Sequence, residues 1–214
     1  MIIAVDGPAA AGKGTLARRL AEHFGLAYLD TGALYRATAL RLLRAGAAVG
    51  AEIGAEAAAS AAAAIEPENL VDPALRQEQT GALASRVSAL PEVRAALLQY
   101  QRDFAARPPK GSGAVLDGRD IGTVVCPEAD HKLFVTASAE ERARRRVAEL
   151  RESGDADVNA DHILAELKER DKRDAERQAS PLKAAADAHL LDTTNLDIDA
   201  AFKAAKALIS VAEG

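Results

Sequence analysis

The sequence predicts an α/β fold: a P-loop five-stranded parallel sheet with helices on both faces. Three observations predict it. Short apolar runs of the buried parallel-strand kind alternate with helical patterns along the chain. The first run, Ile2–Val5, leads straight into a glycine loop and then a helix. The stretch 36–106 is helical throughout and separates the second strand from the third, which marks it as an insertion on the core.

The elements follow in order. Thr15–Phe24 carries Leu16, Leu20 and Phe24 at helical spacing and closes at Gly25. Ala27–Leu29 is the second strand. Asp30-Thr31-Gly32 reads as a turn, with Thr31 capping a helix over 33–45 that stops at Gly46. Residues 51–64 are almost all Ala with two Glu and read as a surface helix. Pro67 and Pro73 make 65–76 an irregular link. Two helices follow, 77–89 and 92–106, the second with Pro91 at its entrance. Residues 107–113 connect to the third strand, Ala114–Leu116, which ends on Asp117-Gly118-Arg119-Asp120. Lys132–Val135 is the fourth strand. Ser138 and Glu141 form a capping box that opens a basic helix running to Ser153. A further helix runs from about Asp161 into an Arg/Asp cluster, Ala188–Leu191 is the fifth strand, and 197–212 is a closing helix.

The 214 residues suffice to bury a core without disulfides or metals. The net charge of −5 argues against a nucleic-acid surface. Cys126 is the only cysteine, and His23, His131, His162 and His189 are scattered without zinc spacing. The opening apolar run is too short for a signal peptide or membrane span, so the sequence predicts a cytoplasmic protein that binds no membrane. Nothing in it demands a partner chain, and a monomer is expected. Arginines crowd 142–151 and 168–177, which points to anion handling in one region.

Residues 7–15 are Gly7, Pro8, Ala9, Ala10, Ala11, Gly12, Lys13, Gly14 and Thr15. This is the spacing of a phosphate-binding loop between strand and helix, where backbone N–H groups and a helix N-terminus offer an anion nest. Lys13 would reach the terminal phosphates as a point charge. The hydroxyl that usually follows this Lys and holds Mg²⁺ is replaced by Gly14, and Thr15 comes one place later. Magnesium would therefore arrive with the nucleotide, held mainly through water, and no protein metal site is expected. A guanine-reading Asn-Lys-x-Asp is missing, since Thr194-Asn195-Leu196-Asp197 lacks the Lys. A small-molecule kinase fits better than a switch GTPase.

Such a kinase must offset the charge of two phosphorylated substrates. Arg36 opens the helix after the first turn, and Arg119 stands at the end of the third strand, where open α/β sheets bind ligands. Arg170, Arg173 and Arg177 lie in the alternating run 168–177, which would by itself read as a surface helix laced with i,i+4 pairs. The phosphate loop favours a clamp instead. Arg142, Arg144, Arg145 and Arg146 read as a mostly solvated face, with at most an edge contact to the nucleotide.

Taken together, Gly7–Thr15, Leu29-Asp-Thr-Gly-Ala-Leu-Tyr-Arg36, Leu90-Pro-Glu-Val-Arg94, Asp117-Gly-Arg-Asp-Ile-Gly-Thr-Val-Val125, Arg170–Arg177 and Ser180-Pro-Leu182 span nearly the whole chain in order. In these motifs the chain resembles the bacterial cytidylate kinases, a family of nucleoside monophosphate kinases in which Gly-Lys-Gly-Thr is ordinary. The resemblance implies a core (1–35, 107–150 and 181–214), a helical monophosphate-binding insertion (36–106) and a lid region (151–180). It implies ATP with Mg²⁺ as donor and CMP or dCMP as acceptor. It assigns Ser85, Arg94 and Asp120 to the cytosine, whose carbonyl, ring nitrogen and amine need donors and an acceptor. It assigns Arg36, Arg119 and Arg177 to the acceptor phosphate, and Thr31, Arg170 and Asp174 to the ribose or neighbouring phosphate oxygens. Lys13, Arg119, Arg170 and Arg177 become the catalytic set, acting by positioning and charge neutralisation. The chain departs from the resemblance in a shortened stretch between Ala64 and Arg76, and in Thr31 where the family often has Ser. Two other readings share the phosphate loop: a kinase for another acceptor, such as a different nucleotide or a sugar acid, and an ATP-binding regulator without turnover.

Overall fold

The computed structural model describes residues 1–152, 154 and 157–211, the last by its backbone alone. The expected end of the basic helix at Ser153, parts of the expected lid region 151–180 and residue 212 of the closing helix lie outside the described residues. The elements are β1 (Ile2–Asp6), α1 (Lys13–Phe24), β2 (Ala27–Asp30), α2 (Thr31–Arg44), α3 (Ala55–Ala63), α4 (Glu78–Val87), α5 (Pro91–Ala106), β3 (Ala114–Gly118), β4 (His131–Thr136), α6 (Ala139–Glu152), α7 (Ala160–Glu176), β5 (His189–Asp192) and α8 (Ile198–Val211). The sheet order is β2-β3-β1-β4-β5, with β1 parallel to β3 and β4, and β4 parallel to β5. This is the five-stranded α/β sheet flanked by helices that the sequence predicts.

The chain divides into two compact units, Met1–Leu29 with Pro108–Gly214, and Asp30–Arg107. In the first, Leu16, Ala17 and Leu20 of α1 and Ala205 and Ile209 of α8 pack on Ile3, Val5, Val115, Leu133 and Val135 of the sheet. The alternation Ile3/Val5 sends these side chains to one face and Ala4 and Asp6 to the other. The register pairs Asp6 with Gly118 and with Phe134, so β1 and β3 end level while β4 runs on to Thr136. β1 lies between β3 and β4, and the chain leaves its carboxyl end at the switch point where open α/β sheets bind ligands.

In the second unit, α2 packs on α3 and α4, and α3 packs on α5. Several local details differ from the sequence reading. β2 runs directly into α2 without a turn, and the cap is Asp30, whose carboxylate accepts from the Ala33 N–H at 3.1 Å. Thr31 is the first helical residue. Asp accepts through either carboxylate oxygen and takes the capping role one place earlier. The Ala-rich helix begins only after Gly54 and is not wholly a surface helix, because Ala58 and Ala62 share a buried face. The link 65–76 is ordered as two 3₁₀ turns, Pro67–Val71 and Pro73–Arg76, each opened by a Pro at its first position.

Candidate active site

The phosphate loop leaves β1 at Gly7 and enters α1 at Lys13. Gly7 has φ 150°, and a Cβ there would run into the carbonyl oxygen of Val135, so only glycine lets the loop pass β4 this closely. Ala10 (φ 58°) and Gly12 (φ 82°) are left-handed. Successive residues of opposite hand turn backbone N–H groups inward, which is how an anion nest is built. Non-glycine residues rarely adopt this conformation, and such strain clusters at ligand sites.

Lys13 is buried, donates to the Pro8 carbonyl at 3.3 Å and stands 3.7 Å from Asp117 Oδ1. This arrangement also accounts for Gly14. A Cβ at residue 14 would sit 3.0 Å from Asp117 Oδ2 and 3.8 Å from the Tyr28 hydroxyl. The space a side chain would take is therefore occupied by the carboxylate at the end of the neighbouring strand. Sequence reasoning did not assign Asp117. Its signal was available: an apolar strand ending in Asp beside a phosphate loop is a recurring magnesium-side arrangement.

A second carboxylate, also unassigned from sequence, ends β1. Asp6 accepts from the Ile121 and Gly122 N–H groups, both at 2.8 Å. Burial pushes its carboxyl up to about 7 against these two bonds, and Asp120 and Asp117 add to the rise. The turn Ile121–Val125, a single π-helical turn, is thus pinned to the residue preceding the loop.

The basic helix α6 differs from the expected solvated face. Arg142 is 5 % exposed, and its guanidinium donates to the carbonyls of Ala137 (3.0 Å) and Ala9 (3.3 Å) and forks onto Asp171 at 3.0 and 2.6 Å. Arg145 donates to the Ala11 and Thr193 carbonyls, while Arg144 stays exposed beside Glu141. The capping box is half made. Ser138 Oγ accepts from the Glu141 N–H at 3.2 Å, but the Ser138 N–H donates to Thr194 Oγ1. Glu141 is drawn away by two arginines. The hydrogen-bonded Arg144 outweighs the upward push of burial and, with Arg145, holds its carboxyl down at about 2.

The Arg/Asp cluster separates into two faces. Arg173 is exposed and pairs with Glu169 at 3.9 Å, which is the surface-helix pattern. Asp174 is buried on the other face and receives Arg119 Nε at 3.1 Å, with Arg177 Nη1 at 3.9 Å. Burial pushes the Asp174 carboxyl up, but Arg119, Arg170 and Arg177 together outweigh it and hold the carboxyl below its ordinary value. Arg119, Arg170, Asp174 and Arg177 are therefore brought together, around one carboxylate and three cations. Asp120 is buried beside Arg119 at the carboxyl end of β3.

Thr31, Arg36, Ser85 and Arg94 belong to the other unit. Arg36 donates to Asp30 Oδ2 at 2.6 Å. Arg94 is 9 % exposed, lies 5.4 Å from the Tyr35 ring and donates to the Ser88 carbonyl at 3.0 Å. Ser85 is buried on α4. Burial sets this Ser and Arg apart from ordinary polar positions on a helix, since Arg is seldom buried without a specific use.

With this geometry in hand, a family model described as "Cytidylate kinase" matches residues 3–210. The chain belongs to the cytidylate kinase family. A cytidylate kinase of Rhodopseudomonas palustris strain BisB18 is 57 % identical over 205 residues, 96 % of this chain and 93 % of that one. A cytidylate kinase of Paramagnetospirillum magneticum strain AMB-1 is 55 % identical over 208 residues, 97 % of each. The family thus extends over nearly the whole chain, including the phosphate loop, the Asp120 turn and α7 of this cytidylate kinase family member. In fold alone, the chain is also similar to a crystal structure of an uncharacterized protein from Eubacterium ventriosum, at TM-score 0.56 and 14 % identity over 100 % of this chain and 99 % of that one. Among the described residues no helix is long and apolar enough to cross a membrane, and no group of three or more His, Cys, Asp or Glu side chains is placed to hold a metal ion.

Proposed function

We propose that this member of the cytidylate kinase family transfers the γ-phosphoryl of ATP to CMP or dCMP, giving ADP and CDP or dCDP. The observation that carries the reading is the gathering of Arg119, Arg170 and Arg177 around buried Asp174, at the sheet end that also bears the phosphate loop. A second anion site beside a nucleotide loop is what a transfer between two phosphates requires.

The residue roles are those the family resemblance implies, and each suits the chemistry of its side chain. The Gly7–Thr15 backbone and Lys13 cradle the donor phosphates. Arg36, Arg119 and Arg177 take the acceptor phosphate, and Arg170 with Asp174 and Thr31 fixes its neighbourhood and the ribose. Asp120 accepts from the cytosine amine, a group uracil lacks, while Ser85 and Arg94 supply donors. The attacking atom is already a phosphate oxygen, so a strong general base is unnecessary. Positioning and neutralisation by Lys13 and the arginines carry the chemistry. Magnesium fits the hard oxygens available: the Asp117 carboxylate and the exposed Thr15 hydroxyl would hold it, largely through water. When bound it supplies charge neutralisation between the phosphates. Residues 36–106 serve as the monophosphate-binding insertion and 151–180 as the lid region, which excludes water from the transfer. A net charge of −5 and a lone buried cysteine suit a cytoplasmic monomer acting on free nucleotides.

The test follows the label from γ-³²P ATP. Label appearing in CDP, and lost with Lys13→Ala, supports transfer. Label remaining in ATP with CMP present supports the regulator reading, and label appearing only in inorganic phosphate contradicts transfer to CMP.

A further inference from the structure

The inner wall of the phosphate loop is legible as a motif, but its outer wall is not. Two loop carbonyls on the outer wall are held. The Ala9 carbonyl accepts from Arg142 Nη1 at 3.3 Å. The Ala11 carbonyl accepts from Arg145 Nη1 at 3.4 Å and lies 3.1 Å from Thr193 Oγ1, whose one proton it shares with the Thr136 carbonyl at 3.0 Å. The cations are themselves fixed. Arg142 is buried and forked onto Asp171, and Arg145 is tied to Glu141 and to the Thr193 carbonyl at 2.6 Å.

The described chain contains no cis peptide. In a trans peptide the C=O of one residue and the N–H of the next point in opposite directions. Fixing the Ala9 carbonyl outward turns the Ala10 N–H inward. Fixing the Ala11 carbonyl outward turns the Gly12 N–H inward. These are the two left-handed residues of the loop, and Ala10 holds that conformation without a glycine's freedom. A cation on the carbonyl also polarises the N–H of the same peptide and makes it a stronger donor.

We infer that Arg142, Arg145 and Thr193 are positioning residues for the donor triphosphate, acting through the Ala9 and Ala11 carbonyls rather than by touching the nucleotide. The inference rests on the reading of the loop as the ATP site. It differs from a purely structural role in one respect: the loss should fall on phosphate binding at the loop and leave the acceptor untouched.

Arg142→Lys keeps the charge but loses the fork that holds Asp171 and the Ala9 carbonyl together. Thr193→Val keeps the shape and removes the hydroxyl. Calorimetry with ATP, with inorganic triphosphate and with CMP reads both variants beside Lys13→Ala. The expected result is about a tenfold rise in Kd for ATP and for inorganic triphosphate in both variants, with the Kd for CMP within about twofold of wild type. Unchanged ATP affinity in Thr193→Val and Arg142→Lys, with Lys13→Ala weakened, overturns the inference and leaves the donor site standing. Parallel losses for ATP and CMP with a lowered Tm also overturn it, because they report a loosened fold. ATP binding by Lys13→Ala equal to wild type removes the donor reading itself, and this inference with it.

Discussion

Arg119 Nε donates to Asp174 Oδ2 at 3.1 Å across 55 residues of sequence, joining the end of β3 to the last turn of α7. The carboxylate offsets three cations that would otherwise repel one another in a partly dehydrated site. Asp174→Asn is expected to lower stability by about 2 kcal/mol, less than for a fully buried pair because Arg119 retains some exposure. Inorganic phosphate should restore part of the loss by supplying the missing charge. Thermal unfolding with and without phosphate checks this.

Two arginines three residues apart should behave oppositely. Arg170 contributes to the field on Asp174, and Arg173 pairs at the surface with Glu169. Arg170→Ala is expected to cut kcat by about a hundredfold or more with the fold retained. Arg173→Ala should remain within about twofold, as befits an exposed pair. Steady-state turnover with circular dichroism on both variants decides whether the two faces differ in function.

Gly14→Ala places a methyl 3.0 Å from Asp117 Oδ2, and the carboxylate standing 3.7 Å from Lys13 must give way. The expected outcome is about a tenfold loss in kcat/KM for ATP with little change in the KM for CMP. Gly7→Ala meets backbone rather than a movable side chain and should cost more than about 3 kcal/mol of stability, read by denaturant unfolding.

Glu141 gives a pH signature. Its carboxyl is held at about 2 in the folded chain, below its ordinary 4.5, first by Arg144 and then by Arg145. A lowered folded-state value stabilises fully above about 4.5 and is lost as pH falls toward 2. Glu141→Gln should therefore cost about 1–2 kcal/mol at neutral pH, after allowing for solvent screening, and almost nothing near pH 2. Urea unfolding across that range measures the convergence.

The sheet, the phosphate loop and the helical stretch between β2 and β3 were legible because each depends on local pattern: apolar runs, glycine spacing and helical periodicity. The gathering of Arg119 with Arg170 and Arg177 is not local; a clamp of these arginines is expected only because a phosphate loop accompanies them, and Asp174 enters only through the resemblance. Arg142 and Arg145 were misread for a related reason. A helix bearing Arg142, Arg144, Arg145 and Arg146 looks solvated unless one knows that the Ala9 and Ala11 carbonyls lie against it. Asp117 and Asp6 are not legible in local sequence pattern because their importance lies in residues distant along the chain: Lys13 and Gly14 at the start of α1 for the first, the Ile121 and Gly122 N–H groups of the turn after β3 for the second.

The most direct measurement is ADP production from ATP and Mg²⁺ with CMP, dCMP, UMP, AMP, GMP and a few sugar acids offered separately. Strong turnover on CMP and dCMP and poor turnover on UMP are expected on the proposed role of Asp120 as acceptor from the cytosine amine, a group uracil does not carry. Equal turnover on UMP, or turnover confined to another acceptor, would contradict the assignment of Ser85, Arg94 and Asp120 as the residues that read cytosine.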